Sequence, residues 1–175
     1  FCTEDLQLIK GTARIRRRFL DLLLSQTHGG YLPLLQNYTT ALRSRNALLK
    51  QRVLDEIAID SFTRELVRLG TELMVLRQDV VPRIAPLARR AYQRIAGECE
   101  EFRLEYQPSI KKDFAVELAQ SKSRERSYRS TLVGPHRDDI LLLLNDRSAA
   151  QFGSEGQKRS LAIALKMTQA EYLAD

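Results

Sequence analysis

Between Phe62 and Ile95 a set of apolar residues recurs in steps of three and four: Phe62, Leu66, Leu69, Leu73, Leu76, Val80, Ile84, Leu87, Ala91 and Ile95. No other pattern in this 175-residue chain constrains its fold so tightly. Steps of three and four are the spacing of one face of an α-helix, so the segment predicts a long helix with a narrow apolar seam. Pro82 and Pro86 fall inside it, and each lacks the N–H that the helix would use. The expectation is a bent helix that packs on the helix before it. A straight homodimeric coiled coil is the competing reading of the same seam.

The rest of the chain breaks into shorter pieces around this helix. Residues 4–10 read as a short helix with Thr3 as a cap and Gly11 as its stop, followed by a row of arginines, Arg14, Arg16, Arg17 and Arg18. A second helix is predicted to turn Phe19, Leu20, Leu23 and Leu24 inward and to end at Gly29–Gly30; a third starts near Tyr31 with Leu34, Leu35, Tyr38, Leu42 and Leu49 on one face. After Gly97 the period changes to alternation, with Phe102, Leu104 and Tyr106 opposed to Arg103 and Glu105, which predicts a strand. A helix is expected over roughly 111–126, its polar 121–127 stretch facing solvent or a partner. A strand follows at 140–144, turn chemistry at Asn145–Asp146, and a second strand at 149–152. Helices bracketing short strands give an α+β class, mainly helical.

Charge and composition narrow the partner classes. The net charge of +6 comes largely from arginine, whose planar guanidinium pairs with phosphate oxygens, so nucleic acid is the natural partner class; a solvated Arg/Glu helical surface is the plainer alternative. No apolar run approaches a membrane span and no signal-peptide pattern opens the chain, so a soluble, cytoplasmic protein with no membrane partner is expected. Cys2 and Cys99 lie far apart with no second ligand at metal spacing, and are read as buried or idle thiols. The chain opens on Phe1 and stops just after an apolar helix, so it is expected to be an internal piece of a longer protein.

The most informative motif is Ser154-Glu155-Gly156-Gln157-Lys158-Arg159-Ser160, ahead of a helix bearing Leu161, Ala162, Ile163 and Leu165. Ser154 and Gln157 satisfy the capping-box rule, so a helix is predicted to begin here whatever its purpose. An exposed helix start with free N–H groups, a hydroxyl and nearby Lys and Arg is also a ready anion site. Chemistry alone leaves both readings open. His136, Arg137, Asp138 and Asp139 offer too few convergent ligands for a metal and are read as a hydrogen-bonded corner. The arginine row 14–18 either touches DNA phosphates or pairs with carboxylates inside the fold.

Ser-x-Gly-Gln-x-Arg before an Ala/Leu-rich helix resembles the signature motif of the ABC-type ATPases of the SMC and RecF group. Three more segments resemble the RecF family in particular: residues 1–6 with Ile9-Lys10-Gly11, then Arg16-Arg17-Arg18-Phe19-Leu20-Asp21, and Gly134-Pro135-His136-Arg137-Asp138-Asp139. Arg45-Asn46 with Leu48, Leu49 and Lys50 also fits that family's arm. Departures are Cys2-Thr3 for Ser-Pro, Ala13 near an expected Pro, and Glu155 for Gln; the last adds a carboxylate beside a phosphate site.

The resemblance implies a helical arm of bent long helices attached to part of an ABC-type head with short strands. Residues 1–30 are then head-proximal, 31–97 the arm, 98–133 a returning strand and helix, and 134–175 a head segment with the signature helix. It implies that Ser154, Gly156, Gln157 and Arg159 meet, in trans, ATP held with Mg by a second copy, and that Arg14, Arg16, Arg17 and Arg18 are DNA-binding candidates. The implied setting is DNA repair, replication, recombination and the SOS response, at gapped DNA and single-strand/double-strand junctions. RecO and RecR are the implied partners in loading RecA, with an ATP-dependent homodimer in the intact, weakly ATP-hydrolysing protein.

No Gly-x-x-x-x-Gly-Lys-Ser/Thr loop occurs in the chain. Residues 140–146 imitate an apolar strand ending in a metal-binding Asp, but they precede the signature and Arg147 follows, so they are read as a core hairpin strand. The chain by itself is therefore expected to hold no cofactor, no metal and no catalytic residue. The alternatives are a non-enzymatic helical protein-interaction module and a head piece of another SMC-type ATPase.

Overall fold

The computed structural model describes residues 3–174. The Cys2 thiol and the Thr3 side-chain cap expected above fall outside the described residues and side chains. A 3-10 turn (Thr3–Leu6) runs into α1 (Gln7–Lys10), then α2 (Ala13–Thr27), α3 (Tyr31–Leu49) and α4 (Glu56–Ala96). Strand β1 (Phe102–Gln107) and α5 (Phe114–Tyr128) follow; β2 (Asp139–Leu144), β3 (Arg147–Ser148), α6 (Ala149–Phe152) and α7 (Glu155–Ala174) complete the chain. The class is α+β and mainly helical, with one antiparallel sheet in the order β1-β2-β3. Among the described residues no helix is long and apolar enough to cross a membrane.

Helix α4 is unbroken over 41 residues and passes through both prolines, whose rings lie on its exposed side. Its predicted seam is buried at Leu66, Leu69, Leu73, Val80, Ile84 and Ala91, while Ile95 at the end is exposed. The chain itself covers that seam, which removes the need for a second copy and counts against the coiled-coil alternative.

The chain divides into two units, and α4 contributes to both. The first comprises Phe1–His28, Arg77–Gln107 and Asp139–Asp175. Its sheet pairs Phe102 with Leu144, Leu104 with Leu142 and Tyr106 with Ile140, so the inward face of β1 meets the inward face of β2. Phe19, Leu20, Leu23 and Leu24 of α2 and Leu161, Ala162, Ala164 and Leu165 of α7 are buried as well. Each leucine taken fully out of water contributes roughly 1.5–3 kcal/mol. From α4, Tyr92 sets its ring 5.6 Å from that of Phe102, and the buried Arg77 binds Asp21 of α2 at 2.7 Å.

The turn between β2 and β3 consists of Asn145 and Asp146, both left-handed at φ 47° and 63°, which suits a two-residue hairpin in a twisted sheet. Asp146 pairs with Arg103 of β1. The imitation of a metal-binding strand end is thus a hairpin, as read from its order in the sequence. The strand expected at 149–152 is not there. Those residues form α6, and the returning strand is only Arg147–Ser148, because Ala149 is fully buried and the chain must turn at once into the next helix.

The second unit comprises Gly29–Leu76 and Pro108–Asp138. Helix α3 buries Tyr31, Leu34, Tyr38, Ala41 and Leu49, and also Arg45, a charged residue on a face read as apolar. Arg45 donates to Glu125 Oε2 at 2.7 Å, to Thr131 Oγ1 at 2.8 Å and to Thr63 Oγ1 at 2.9 Å. Asn46 accepts from the Thr131 amide, and Glu125 also accepts from the Leu132 amide. The polar 121–127 stretch of α5 therefore turns Ser121 and Glu125 inward, four residues apart, and exposes the rest. Helix α5 starts at Phe114, later than expected, because Asp113 caps it by accepting from the Val116 amide at 2.9 Å.

Candidate nucleotide-facing site

Residues 154–157 form the reciprocal cap that the spacing predicts. The Ser154 amide donates to Gln157 Oε1 at 2.6 Å, and the Gln157 amide donates to Ser154 Oγ at 3.2 Å. The Lys158 amide is bonded to the Ser154 carbonyl, the first turn of α7. Among the described residues the amides of Glu155 and Gly156 have no partner, and both residues are exposed. The Ser154 hydroxyl accepts from Gln157 and keeps its own proton to donate outward. A Cβ added at Gly156 would meet nothing nearer than Ser154 Oγ at 3.9 Å. Packing within the chain therefore does not demand a glycine here.

Glu155 would spoil an anion site if its carboxylate were free. Lys10 of α1 donates to Glu155 Oε2 at 2.6 Å, and Lys158 lies 3.7 Å from Oε1. The Lys10 ammonium, with the charges of Lys158 and Arg159 behind it, holds this carboxyl below its ordinary range against an opposing desolvation. Arg159 is exposed. The arrangement is a set of outward donors without a loop to wrap a polyphosphate. Exposed donors at a helix start of this kind are the chemistry that an anion requires.

The four arginines separate into different roles. Arg16 grips Asp139 with a bidentate fork, Nε to Oδ1 at 2.7 Å and Nη2 to Oδ2 at 2.8 Å, while its Nη1 donates to the Gly11 carbonyl at 2.7 Å. Three separate sequence segments, 9–11, 16–21 and 134–139, meet through this one side chain. Arg17 is half-buried. Arg14 and Arg18 are exposed and make no ion pair among the described residues.

Within the second unit, His136 forms the corner read from the sequence. Its Nε2 faces the Thr131 carbonyl at 3.2 Å, which can only accept, so Nε2 carries the proton and Nδ1 accepts from the Tyr38 hydroxyl at 2.7 Å. Asp138 is fully buried and accepts from the Ser109 amide at 2.7 Å. Gly134 sits at φ 135°, and an added Cβ would lie 2.8 Å from the Tyr38 hydroxyl. Only glycine fits this position. Among the described residues no three His, Cys, Asp or Glu side chains gather as a metal site. Cys99 is a free, exposed thiol.

Sequence reasoning missed Glu100. It lies before β1 in a run of three glutamates, 98, 100 and 101, from which nothing singles it out. The structure brings its Oε1 to 2.5 Å from Gln157 Nε2, and its other oxygen accepts from the Tyr92 hydroxyl. Burial first, and then the Glu100 carboxylate, push the Tyr92 phenol well above its ordinary value.

No family model matches the chain. Curated relatives do, along its whole length. It is 38% identical over 187 residues to the DNA replication and repair protein RecF of Symbiobacterium thermophilum, covering 100% of this chain and 50% of that protein. It is 40% identical over 182 residues to the RecF protein of Thermosynechococcus vestitus, covering 97% of this chain and 48% of that one. Two solved structures, described as the recombination mediator protein RecF with ATP and with its analogue ATPrS in the RecFOR pathway, each superpose with a TM-score of 0.91 at 28% identity, over 100% and 99% of this chain and 50% of those chains. These matches favour neither a non-enzymatic helical module nor another SMC-type head. The chain spans about half the length of the curated relatives it matches, and over its own full length it belongs to the RecF family.

Proposed function

We propose that this chain supplies the signature face of a RecF-type DNA repair ATPase, and that the start of α7 meets the γ-phosphate of ATP held by a second copy of the intact protein. The observation that carries the reading is the outward donor set at Ser154, Glu155 N–H and Gly156 N–H, with Glu155 already neutralised by Lys10. Ser154 donates its hydroxyl proton, the two amides point their dipoles at the anion, and Arg159 adds a nearby positive charge. Gln157 holds the turn in shape. Bound ATP would supply a densely charged γ-phosphate whose loss on hydrolysis weakens these contacts, so the nucleotide works as a removable glue between copies. Mg would accompany the ATP and be held by residues outside this chain.

In this reading the intact protein binds DNA at gaps and at single-strand/double-strand junctions. It acts in the cytoplasm with RecO and RecR to help load RecA. The exposed Arg14 and Arg18 are the phosphate contacts of choice, with residues 31–97 as the helical arm. RecF structures with ATP, matched over all of this chain, support the nucleotide half of the reading.

The test is the mass of the full-length protein with and without ATP. Ser154→Asp keeps a good helix cap but puts a carboxylate against the phosphate. The expected result is a folded protein that no longer dimerises with ATP. A variant that dimerises like the wild type would reduce the motif to a cap.

A further inference from the structure

Gln157 lies between two groups that leave its amide one orientation. The Ser154 amide is a pure donor, 2.6 Å from Oε1; the Glu100 carboxylate, when ionised, is a pure acceptor, 2.5 Å from Nε2. Turning the amide over would set N–H against N–H on one side and oxygen against oxygen on the other. Glu100 is itself fixed. Its second oxygen accepts from the hydroxyl of Tyr92, a fully buried α4 residue packed on Phe102 at the start of β1. A continuous set of hydrogen bonds thus runs from the middle of the first unit to the exposed turn at Ser154.

We propose that Glu100 is the positioning residue of the signature turn: it fixes which end of the Gln157 amide faces Ser154, and so aims the Ser154 hydroxyl and the Glu155 and Gly156 amides at the nucleotide. This rests on the reading that α7 meets ATP held by a second copy. It assigns Gln157 to holding the turn and leaves the contacts to its neighbours. It also gives the buried hydroxyl of Tyr92 a purpose, because that hydroxyl anchors the carboxylate on the side away from the site.

Exchanging the two side chains tests the pairing. Glutamate at the third helical position closes a capping box as well as glutamine does, so an isolated cap would tolerate Gln157→Glu. Beside Glu100, the new carboxylate would face another at hydrogen-bond distance, and two carboxylates so placed do not both ionise freely. In the full-length protein, Gln157→Glu is expected to raise the ATP concentration for half-dimerisation by at least about tenfold through this repulsion. The exchanged pair, Gln157→Glu with Glu100→Gln, restores a donor opposite an acceptor and is expected to return to within about threefold of the wild type. Without ATP, amide exchange at Ser154 should quicken in the single variant and slow again in the exchanged pair.

A Gln157→Glu protein that dimerises and exchanges like the wild type would overturn the proposal, as would a defect that Glu100→Gln fails to relieve. Ser154→Asp, run alongside, separates the two levels. If it blocks dimerisation while Gln157→Glu does nothing, the role of Glu100 falls and the nucleotide reading stands. If Ser154→Asp dimerises normally, the nucleotide reading falls, and the amide exchange still decides whether Glu100 holds the turn.

Discussion

Arg16 illustrates how one side chain settles a question that spacing leaves open. Its fork is filled by Asp139 and the Gly11 carbonyl, so it is spent inside the fold, whereas Arg14 and Arg18 face solvent. Arg16→Ala would leave the half-buried Asp139 carboxylate without its partner. It is expected to cost on the order of 1–3 kcal/mol in chemical denaturation while leaving the salt dependence of DNA binding unchanged. Lys10 and Glu155 make a second residue-scale case. Their ion pair is exposed and is expected to matter little for stability, but Lys10→Met would uncover the Glu155 carboxylate beside the proposed phosphate contacts. The variant should need more ATP to dimerise, and adding Glu155→Gln should remove that defect. Tyr92 predicts a pH effect of definite sign. Its phenol is raised in the folded state, so its contribution is complete below the ordinary phenol value of about 10 and is lost as pH climbs above it. Stability should fall in that alkaline window, and less steeply in Tyr92→Phe.

At the scale of elements, what the sequence displays best is periodicity. The seam of α4, the alternation of β1 and the cap of α7 are all visible because each repeats or obeys a short local rule. Features that depend on distant partners are hidden. Arg45 looks like a solvated arginine until Glu125, Thr63 and Thr131 close around it, and Glu100 looks like one glutamate among three until Gln157 reaches it. The mistaken strand at 149–152 has the same origin: turn chemistry announces a hairpin but not how soon the returning strand must yield to a helix. The Arg45–Glu125 pair also predicts a large effect, within the second unit. Both side chains are almost wholly buried, so Glu125→Ala would strand a charge in the core and is expected to cost roughly 3–5 kcal/mol, read as a shift in the urea midpoint. Ser154→Ala, by contrast, should cost only about 0.5–2 kcal/mol, the usual loss for a helix cap.

At the scale of the whole molecule, the chain builds two units from alternating stretches of sequence and places its exposed donor set at one helix start in the first of them. Family membership was legible through short strings, and the structure gives several of them work: Arg16 joins three, Asp21 holds Arg77, and Gly134 and His136 make a tight corner. DNA contact is predicted for the solvent-facing arginines. Replacing Arg14 and Arg18 together should flatten the plot of log affinity against log salt by up to about 0.9 per lost phosphate contact. The central claim is that the start of α7 meets a nucleotide carried by another copy, and amide exchange at Glu155 and Gly156 in the full-length protein reads it directly. On adding ATP, both amides should slow, and the slowing should deepen as protein concentration rises, because the partner brings the phosphate. Protection that is absent, or that is the same at every protein concentration, would contradict the account.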